Sequence, residues 1–385
     1  MKIALVSPYD YPYPGGVTEH IHHLEMEFVR RGHVVKIIAP SSTSKHELSD
    51  NIYRIGGIVP VPVSGSIARI TLSPGSYRWV KQILNRERFD IVHLHEPLMP
   101  VLCLVALRHS KSVNIGTFHA YREGNFAYLA GKAVLKRFIG RLHGRIAVSP
   151  PARELVNRYF PGDYEIIPNG IDPDYFGSPN ITPLPQFVDG KLNVLFVGRM
   201  EKRKGLRYLL RSWGAISRQY PETRLIVVGE GALRDECERY VSENHLANVV
   251  FVGFVTNAEL PRYYRTAHIF CAPSTGFESQ GIVLLEAMAA GRPIVASSIA
   301  GYASVITDGE QGWLVPPGDS ISLAVAIGSL LGNEALRDRM GNAGRQTAQT
   351  YAWDKVASRV LSYYEDVTGR ISRRAHLRDI LKDGA

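Results

Sequence analysis

The sequence predicts an α/β protein made of two doubly wound parallel sheets. Across its 385 residues, short apolar runs alternate with helical patterns, an order that is typical of strands joined by crossover helices. The alternation falls into two blocks, and a Pro-rich, strand-poor stretch from Asn169 to Gly190 separates them. A chain of this length is expected to hold about two domains, each with a sizeable core.

Each block carries its own series of predicted strands. In the first block they are expected near residues 2–6, 34–39, 90–94, 113–117, 145–148 and 164–167. In the second block they are expected near residues 193–197, 224–228, 248–252, 268–271, 293–296 and 313–315. We therefore expect one domain at residues 1–172 and another at 173–352, followed by a long helical pattern that starts at Trp353.

Composition narrows the class of protein. Hydrophobic residues make up 45% of the chain, but the longest apolar runs are too short to span a bilayer. The N-terminus leads into a predicted strand rather than a secretory signal, so we expect a cytoplasmic protein. The net charge of +9 comes without an aromatic-rich basic motif, which argues against a nucleic-acid partner. Cys103, Cys237 and Cys271 lack metal-site spacing and are expected to be reduced core thiols.

Two carboxylates flank a predicted helix N-terminus in the second block. Glu278 lies in a Gly-bounded loop, and Glu286 lies eight residues later in an apolar helical run. The backbone amides of Gln280, Gly281 and Ile282 would lack intrahelical partners there, which favours an anion such as a diphosphate. This pattern outlines a nucleotide-sugar site; the alternative is a solvated loop acid and a helix-dipole partner.

Two other loops follow buried strands. Gly16 ends a Gly-Gly turn after the strand at 2–6, where its amide can approach a phosphate closely. Arg199 and Lys204 follow the strand at 193–197, and their charges suit a departing diphosphate, because ligands bind at the carboxyl ends of strands in open α/β sheets. An ordinary turn and a solvated basic loop are the alternatives.

His119 lies at a further strand end, after the apolar run at 113–115. A lone histidine is usually structural, but the neighbouring strand-end sites make a substrate contact an equal alternative. Gly229-Glu-Gly231 lacks the third glycine of a dinucleotide-binding fingerprint, which disfavours an NAD enzyme.

The sequence gives no reason to expect a metal ligated by the protein. Asp172 and Asp174 spell an Asp-x-Asp motif, but Pro173 between them restricts how the two acids could converge. His93 and His95 alternate along a strand and are expected to face opposite sides. His20, His22 and His23 lie on one predicted helix and fan around its axis. None of these histidines forms a pair of known metal-site spacing with a nearby acid.

Short motifs spread along the chain carry a family resemblance. They are Ser7-Pro-Tyr9 with Pro14-Gly-Gly-Val17, Gly65-Ser-Ile-Ala-Arg69, His93-Leu-His-Glu-Pro97, Thr117-Phe-His119, Arg145-Ile-Ala-Val-Ser149, Pro168-Asn-Gly170 and Ala272 to Ala289. Through them the chain resembles retaining glycosyltransferases of family four, and among these the bacterial phosphatidylinositol mannosyltransferases. The resemblance implies a GT-B fold, in which two Rossmann-like domains face a central cleft and the segment 353–385 packs back on the first domain.

The resemblance also implies roles for the donor-side residues. A hexose would move from a nucleotide-sugar to a hydroxyl with retention of configuration, and His119, Glu278, Arg199 and Lys204 would be the catalytic set. Glu286 would hold the nucleotide ribose. Gly16, Gln280, Gly281 and Ile282 would complete the donor contacts around the diphosphate.

On the acceptor side, the resemblance carries Tyr9, Ser66, Arg69 and His119 toward an inositol phosphate headgroup. Relatives have Gln or Asn where this chain has Thr18, which we include among the expected acceptor contacts.

The implied donor is GDP-mannose and the implied acceptor is phosphatidylinositol. Relatives carry an Asp and a Lys near the base pocket where this chain has Asn257 and Leu260, so UDP-glucose is the alternative donor. Another lipid or a soluble sugar is the alternative acceptor, while a nucleotide-sugar epimerase and an RNA-binding protein are the alternatives from other classes. No permanently bound cofactor and no protein-ligated divalent metal are expected.

Two basic amphipathic segments, Arg78–Arg86 and Lys132–Arg141, predict contact with an anionic membrane surface. Their cations alternate with apolar residues at helical spacing, although two ordinary packed helices with solvated faces would show the same pattern. We therefore expect a peripheral protein on the inner face of the cell membrane.

Overall fold

The computed structural model describes the chain except residues 14, 44–48, 64–65, 74, 123, 125 and 384–385, and it describes only the backbone of 62–63, 66–67 and 374–383. The chain forms two compact units: Met1–Asn169 together with Trp353–Ala385, and Gly170–Ala352. The division falls after Asn169 rather than after residue 172, because Ile171 pairs with Ala352 in the second unit.

The first unit contains nine strands among the described residues. They are β1 Lys2–Val6, β2 Val34–Ala39, β3 Ile52–Arg54, β4 Val59–Val63, β5 Ser66–Ile70, β6 Ile91–His95, β7 Val113–Phe118, β8 Gly144–Ala147 and β9 Glu165–Ile166. Seven of them form a parallel sheet in the order β3-β2-β1-β6-β7-β8-β9, and β4 pairs antiparallel with β5 as a separate hairpin. The sequence did not predict β3, β4 or β5. Pro60 and Pro62 in β4 lack the N–H that a ladder needs, so the segment does not resemble a strand in sequence.

The helices connect the strands of both units. They are α1 Gly16–Arg30, α2 Ser76–Glu87, α3 Leu102–His109, α4 Phe126–Ala130, α5 Lys132–Ile139, α6 Pro150–Tyr159, α7 Pro173–Gly177, α8 Leu206–Gln219, α9 Arg234–Glu243, α10 Leu260–Thr266, α11 Ile282–Ala289, α12 Ala300–Ala303, α13 Ser320–Leu331, α14 Glu334–Thr350 and α15 Trp353–Asp383.

Strand β1 shows how the first sheet is covered on both faces. Ile3 and Leu5 belong to a core that includes α1 and α15, whereas Ala4 and Val6 belong to a core that includes α2 and α3. Consecutive strand residues point to opposite faces, so a central strand with helices on both sides is apolar throughout. Tyr364 of α15 is fully buried in this unit.

The second unit repeats the plan with a six-stranded parallel sheet. Its strands are β10 Leu192–Val197, β11 Thr223–Val228, β12 Val249–Gly253, β13 Ile269–Ala272, β14 Ile294–Ser297 and β15 Gly312–Val315, in the order β12-β11-β10-β13-β14-β15. Leu195 packs toward α10 and α11, and Phe196 packs toward α8 and α13. The predicted pair of doubly wound sheets is confirmed.

Across the described residues, no helix combines the length and the apolar character needed to cross a bilayer. Cys103, Cys237 and Cys271 are buried and free of disulfides, and burial raises the pKa of the Cys237 thiol to about 11.

Candidate active site

The carboxyl ends of β10 and β13 meet at one edge of the second sheet. The two strands are parallel neighbours, with Val194 opposite Ile269 and Leu195 opposite Phe270. The loop that holds Arg199 and Lys204 follows β10, and the loop that holds Glu278 follows β13. In open α/β sheets this edge is where ligands bind.

Glu278 is the centre of an ion cluster at this edge. Lys204 Nζ lies 2.8 Å from Glu278 Oε1, and Arg203 Nη1 lies 2.5 Å from the same oxygen. The Glu278 residue is 9% exposed, so its charge needs compensation that water does not supply. The structure therefore brings Lys204 and Glu278 together, and it adds Arg203, which the sequence analysis did not single out.

Arg199 lies at the exposed rim of the same cluster. Its Nη1 is 2.9 Å from Glu201 Oε1, and Arg203 Nε is 3.1 Å from Glu201 Oε2. The Arg199 side chain is 50% exposed, whereas that of Lys204 is 14% exposed. Three cations against two carboxylates leave the cluster with one excess positive charge, which suits an anionic ligand.

Arg203 could have been predicted as a site residue from the sequence of the loop after β10. It belongs to the run Lys202-Arg203-Lys204, and its carbonyl accepts a 2.8 Å hydrogen bond from the amide of Thr275. This backbone contact ties the β10 loop to the β13 loop and sets the guanidinium beside Glu278.

Two glycines allow the loops to approach so closely. Gly205 has φ 72°, and a Cβ there would lie 1.8 Å from the carbonyl oxygen of Pro273. Gly281 has φ 84°, and a Cβ there would lie 2.5 Å from Tyr302 Cε1. A side chain at position 205 would force the β10 and β13 loops apart, and one at position 281 would force the start of α11 away from Tyr302 of α12. Phe277, beside Glu278, has φ 58°, an uncommon conformation for a residue with a side chain.

Helix α11 starts at Ile282 with Gly281 as its N-cap, close to the expected position. Gln280 is buried, at 2% exposure, beside this terminus. Glu286 lies one turn inside the helix, where Oε2 accepts a 2.6 Å hydrogen bond from the hydroxyl of Tyr264. Tyr264 is fully buried, and burial, followed by the nearby Glu286 charge, raises the pKa of its hydroxyl well above the usual value. The sequence analysis missed Tyr264 because it lies on another helix, α10.

In the first unit, two of the expected acceptor residues, Arg69 and Thr18, form hydrogen bonds with other residues of that unit. Arg69 Nε donates a 2.7 Å hydrogen bond to Oδ2 of the buried Asp10, and its guanidinium lies 4.4 Å from the centre of the Tyr13 ring. The Thr18 hydroxyl lies 2.8 Å from both the Tyr13 and Gly15 carbonyl oxygens. Thr18 therefore fixes the loop before α1, and Asp10, which sequence reasoning missed, compensates the Arg69 charge.

The remaining acceptor and loop residues have simple placements. Tyr9 forms a β-bridge with Ile70, and burial together with the Glu96 charge raises the pKa of its hydroxyl. Gly16 is the exposed first residue of α1. Ser66 is the first residue of β5, and its side chain lies outside the described part of the structure.

His119 follows β7 directly, and Glu96 fixes its backbone. Glu96 Oε1 accepts hydrogen bonds from the amides of His119 and Ala120, both at 2.7 Å. Glu96 is 5% exposed and has φ 51°. Burial raises the pKa of its carboxyl group, while the two amide hydrogen bonds oppose the shift. The Glu96 carboxylate was present in a motif that carried the resemblance, but its partners became visible only in the structure.

Three buried histidines of the first unit, His20, His93 and His95, form a cluster with His119. The rings of His93 and His95 are 4.4 Å apart, so the expectation that they face opposite sides was wrong, because residues two apart on a strand share a face. His20 of α1 lies 4.9 Å from His119 between ring centres. Burial lowers the pKa of His20 and of His93 to about 3, and it lowers the pKa of His95 and His119 well below the usual value.

This cluster also offers ring nitrogens to a cation. One ring nitrogen each from His20, His95 and His119 lies within 4.8 Å of the other two. Such a set of neutral imidazoles is chemically able to bind zinc or a similar ion. The sequence did not suggest it because the three residues come from α1, β6 and the loop after β7.

Comparison with known proteins agrees with this architecture. The family model described as "Glycosyltransferase Family 4" matches residues 14–175, and the model "Glycosyl transferases group 1" matches residues 181–347. Among solved structures, sucrose-phosphate synthase from Thermosynechococcus elongatus has 23% identity and a TM-score of 0.75, covering 96% of this chain and all of that one. Anabaena HepE in complex with UDP has 19% identity and a TM-score of 0.77, covering 95% and 100%. These neighbours show the GT-B fold.

The curated relatives match over nearly the whole chain. A phosphatidyl-myo-inositol mannosyltransferase of Mycobacterium leprae is 37% identical over 95% of this chain and 97% of its own length. Proteins of the same name are 38% identical in Mycobacterium tuberculosis, over 96% and 98%, and 33% identical in Propionibacterium freudenreichii, over 94% and 94%. This chain therefore belongs to glycosyltransferase family 4.

Proposed function

We propose that this glycosyltransferase moves mannose from GDP-mannose to the inositol ring of phosphatidylinositol, with retention of configuration. The observation that carries the proposal is the 37% identity over 95% of the chain to a protein named for this activity. The donor sugar and the acceptor are transferred from the names of these relatives, and the site chemistry supports them.

On the donor side, we assign the diphosphate to the cluster after β10. Arg199 and Lys204 supply positive charge where negative charge develops on the leaving group, and the N-terminus of α11 adds its amides at Gly281 and Ile282. Glu278 would accept hydrogen bonds from sugar hydroxyls, and Arg203 keeps its carboxylate in place. Preorganised charges of this kind need no rearrangement as the bond to the diphosphate breaks.

Glu286 would bind the nucleotide ribose from the inner side of the same helix terminus. The Tyr264 hydroxyl donates a hydrogen bond of 2.6 Å to Glu286 Oε2 and so fixes the position of this carboxylate oxygen. A ribose hydroxyl then meets an acceptor whose position is already set, which reduces the entropy lost on binding.

On the acceptor side, we assign the headgroup to the first unit, with Tyr9, Thr18, Ser66, Arg69 and His119 near it. Arg69 is the cation suited to the lipid phosphate, and its bond to Asp10 engages Nε. Asp10 thus orients the guanidinium and partly neutralises its charge. We therefore expect Arg69 to contribute more to the orientation of the headgroup than to its binding affinity.

We also propose that the chain lies on an anionic membrane surface during the reaction. Helix α2 exposes 64% of Trp79 beside the exposed cations Arg78 and Lys81, which is the composition of an interfacial helix. In α5, Leu135 and Ile139 are buried and so cannot contact lipid. The membrane contact there is limited to residues such as the exposed Val134.

Transfer assays with defined partners test this function. The purified chain is given GDP-mannose or UDP-glucose, and vesicles of phosphatidylcholine with phosphatidylinositol, with phosphatidylserine, or with neither; soluble inositol phosphate is a further acceptor. Mass spectrometry of the lipids should show one added hexose only with GDP-mannose and phosphatidylinositol. Faster turnover with UDP-glucose would show that UDP-glucose, not GDP-mannose, is the donor. Equal transfer to the soluble acceptor without vesicles would show that the acceptor is not the lipid.

Vesicle binding tests the membrane contact separately. Co-sedimentation should rise with the anionic lipid fraction and fall with salt, because surface charges are screened over about 8–10 Å at moderate ionic strength. Trp79→Ala should weaken binding several-fold, whereas Val188→Ala, at an exposed position of the second unit, should leave it unchanged.

A further inference from the structure

The ring of His119 is held by another histidine. His95 Nδ1 lies 3.0 Å from His119 Nε2, a hydrogen-bond distance at which one of the two nitrogens must carry the proton. The surroundings of the two rings decide which one does.

Both rings are neutral at pH 7.5, which lies about one unit above the ordinary pKa of a histidine. Each ring therefore carries one proton, on Nδ1 or on Nε2. The hydrogen bond between them then allows two arrangements: His95 donates to His119, or His119 donates to His95.

The second nitrogen of His95 decides between these arrangements. His95 Nε2 is buried and has no hydrogen-bond partner in the part of the chain that the structure describes. If His119 were the donor, His95 would carry its proton on Nε2, as a buried N–H without an acceptor. Buried N–H groups without a partner are rarer than under-satisfied acceptors, so a bare Nε2 is the less costly state.

His93, two residues earlier on β6, provides the internal contrast. Its Nδ1 lies 2.6 Å from the hydroxyl of Tyr364, and its Nε2 lies 2.6 Å from the hydroxyl of Thr117. Hydroxyls can donate or accept, so His93 is satisfied in either tautomer. Of these two strand neighbours, only His95 has its tautomer restricted by its surroundings.

We propose that His95 donates its Nδ1 proton to Nε2 of His119 and thereby fixes His119 as the tautomer protonated on Nδ1. The ring nitrogen protonated in a histidine is set by the hydrogen bond that the other nitrogen makes. Asn169 hydrogen-bonds the side chains of His20 and His119. Its Oδ1 has no hydrogen-bond partner in the described part of the chain, so the proposed tautomer requires the amide to be turned until Oδ1 accepts the Nδ1 proton of His119.

The consequence for the reaction rests on the proposed function. If His119 contacts the sugar, its Nε2 is occupied by His95, and its remaining ring donor, Nδ1–H, is shared between Asn169 and a sugar hydroxyl. Glu96 fixes the backbone of His119 through two amide hydrogen bonds, and His95 fixes the ring. His95 is thus a positioning residue that acts through His119.

Long-range ¹H–¹⁵N correlation spectra of ¹⁵N-histidine-labelled full-length protein measure the tautomers directly. Spectra are recorded at pH 7.5 with EDTA, so that a metal held by His20, His95 and His119 does not set the protonation. His119→Gln identifies the His119 signals by their loss. We expect protonated Nδ1 and bare Nε2 in both His95 and His119; a proton on Nε2 of His119 would overturn the proposal.

A matched pair of substitutions separates the hydrogen bond from the shape of the side chain. His95→Asn keeps an N–H donor near the position of Nδ1, and His95→Leu has nearly the same volume without one. We expect His119 to remain protonated on Nδ1 in His95→Asn and to lose that preference in His95→Leu. An unchanged His119 tautomer in His95→Leu would show that His95 does not set it.

Kinetics of the same pair tests the consequence for transfer. In His95→Leu, kcat should fall about tenfold with the donor KM within about twofold, while His95→Asn should stay within about threefold of wild type. Equal losses in both variants would indicate a packing role and overturn the positioning role. A shifted tautomer with wild-type kcat would keep the hydrogen-bond assignment and refute the sugar contact of His119.

Discussion

The two units bury titratable groups at their strand ends in opposite ways. In the second unit, Glu278 is paired with Arg203 and Lys204. In the first unit, the histidines near His119 give up their charge, because burial lowers their pKa values. Both solutions avoid an uncompensated charge in a low-dielectric region.

The difference matches the chemistry that each unit is proposed to perform. A departing diphosphate needs fixed positive charge, which the ion pairs of the second unit hold ready. A neutral sugar or inositol hydroxyl needs hydrogen-bond donors and acceptors in fixed directions, which neutral imidazoles supply without attracting stray anions. The predictions below test this division between charged and neutral sites.

The largest effect is expected from Glu278→Gln. Transfer should fall by more than about 100-fold, because the carboxylate that we assign to the sugar hydroxyls, and that pairs with Lys204, is lost. Calorimetry should show GDP affinity within about threefold of wild type, since the cations remain. Glu230→Gln is the control, because Glu230 pairs with Arg234 at a largely exposed site and should change transfer less than about twofold. A parallel loss of GDP binding in Glu278→Gln would assign Glu278 to the nucleotide.

Acid should destabilise the first unit through its histidines. His20 and His93 become protonated near pH 6.5 in the unfolded chain, whereas burial lowers their pKa to about 3 in the folded unit. Stability is therefore lost as the pH falls below 6.5, by about 1.4 kcal/mol per pH unit for each histidine. Urea unfolding between pH 7 and 5 measures the slope. It is followed by the fluorescence of Trp79 and Trp353, which both belong to the first unit, in a Trp213→Phe, Trp313→Phe background.

His93→Gln provides the matched comparison for this slope. The amide of Gln can still bond the neighbouring hydroxyls, but it does not titrate, so the slope should fall by about 1.4 kcal/mol per pH unit. An unchanged slope would mean that the His93 pKa is not depressed in the folded unit.

Glu96→Ala should cost about 2 kcal/mol of the free energy of unfolding, because it leaves the partly buried amides of His119 and Ala120 without their acceptor. Glu96→Gln keeps a carbonyl oxygen and should cost less than half as much. Urea unfolding at pH 7.5 compares the two variants. Equal losses would show that the charge of Glu96 matters more than its acceptor geometry.

The smallest effect is expected from Tyr264→Phe. Removing the hydroxyl leaves Glu286 Oε2 without its 2.6 Å donor, so GDP affinity should fall about threefold and stability by about 1 kcal/mol. Tyr263→Phe, on the same helix and partly exposed, should change neither. An unaltered GDP affinity in Tyr264→Phe would remove Glu286 from the ribose site.

The sequence by itself determined the class of fold and the donor-side charges. Apolar runs and helical periodicity are local patterns, so the strands of both sheets except β3 could be located within a few residues. Glu278 and Lys204 could be singled out because charged residues directly after buried strands are conspicuous. The hairpin of β4 and β5 was not predicted, because prolines at positions 60 and 62 are unusual within a strand.

Only the tertiary structure decided which groups are partners. His20, His95 and His119 meet because β6 lies between β1 and β7 in the sheet, an order that no local pattern encodes. The same holds for Glu96 beneath His119, for Asp10 against Arg69, and for Tyr264 against Glu286. Periodicity acts over a few residues, whereas hydrogen bonds and ion pairs depend on which distant elements the packed core brings within 3 Å.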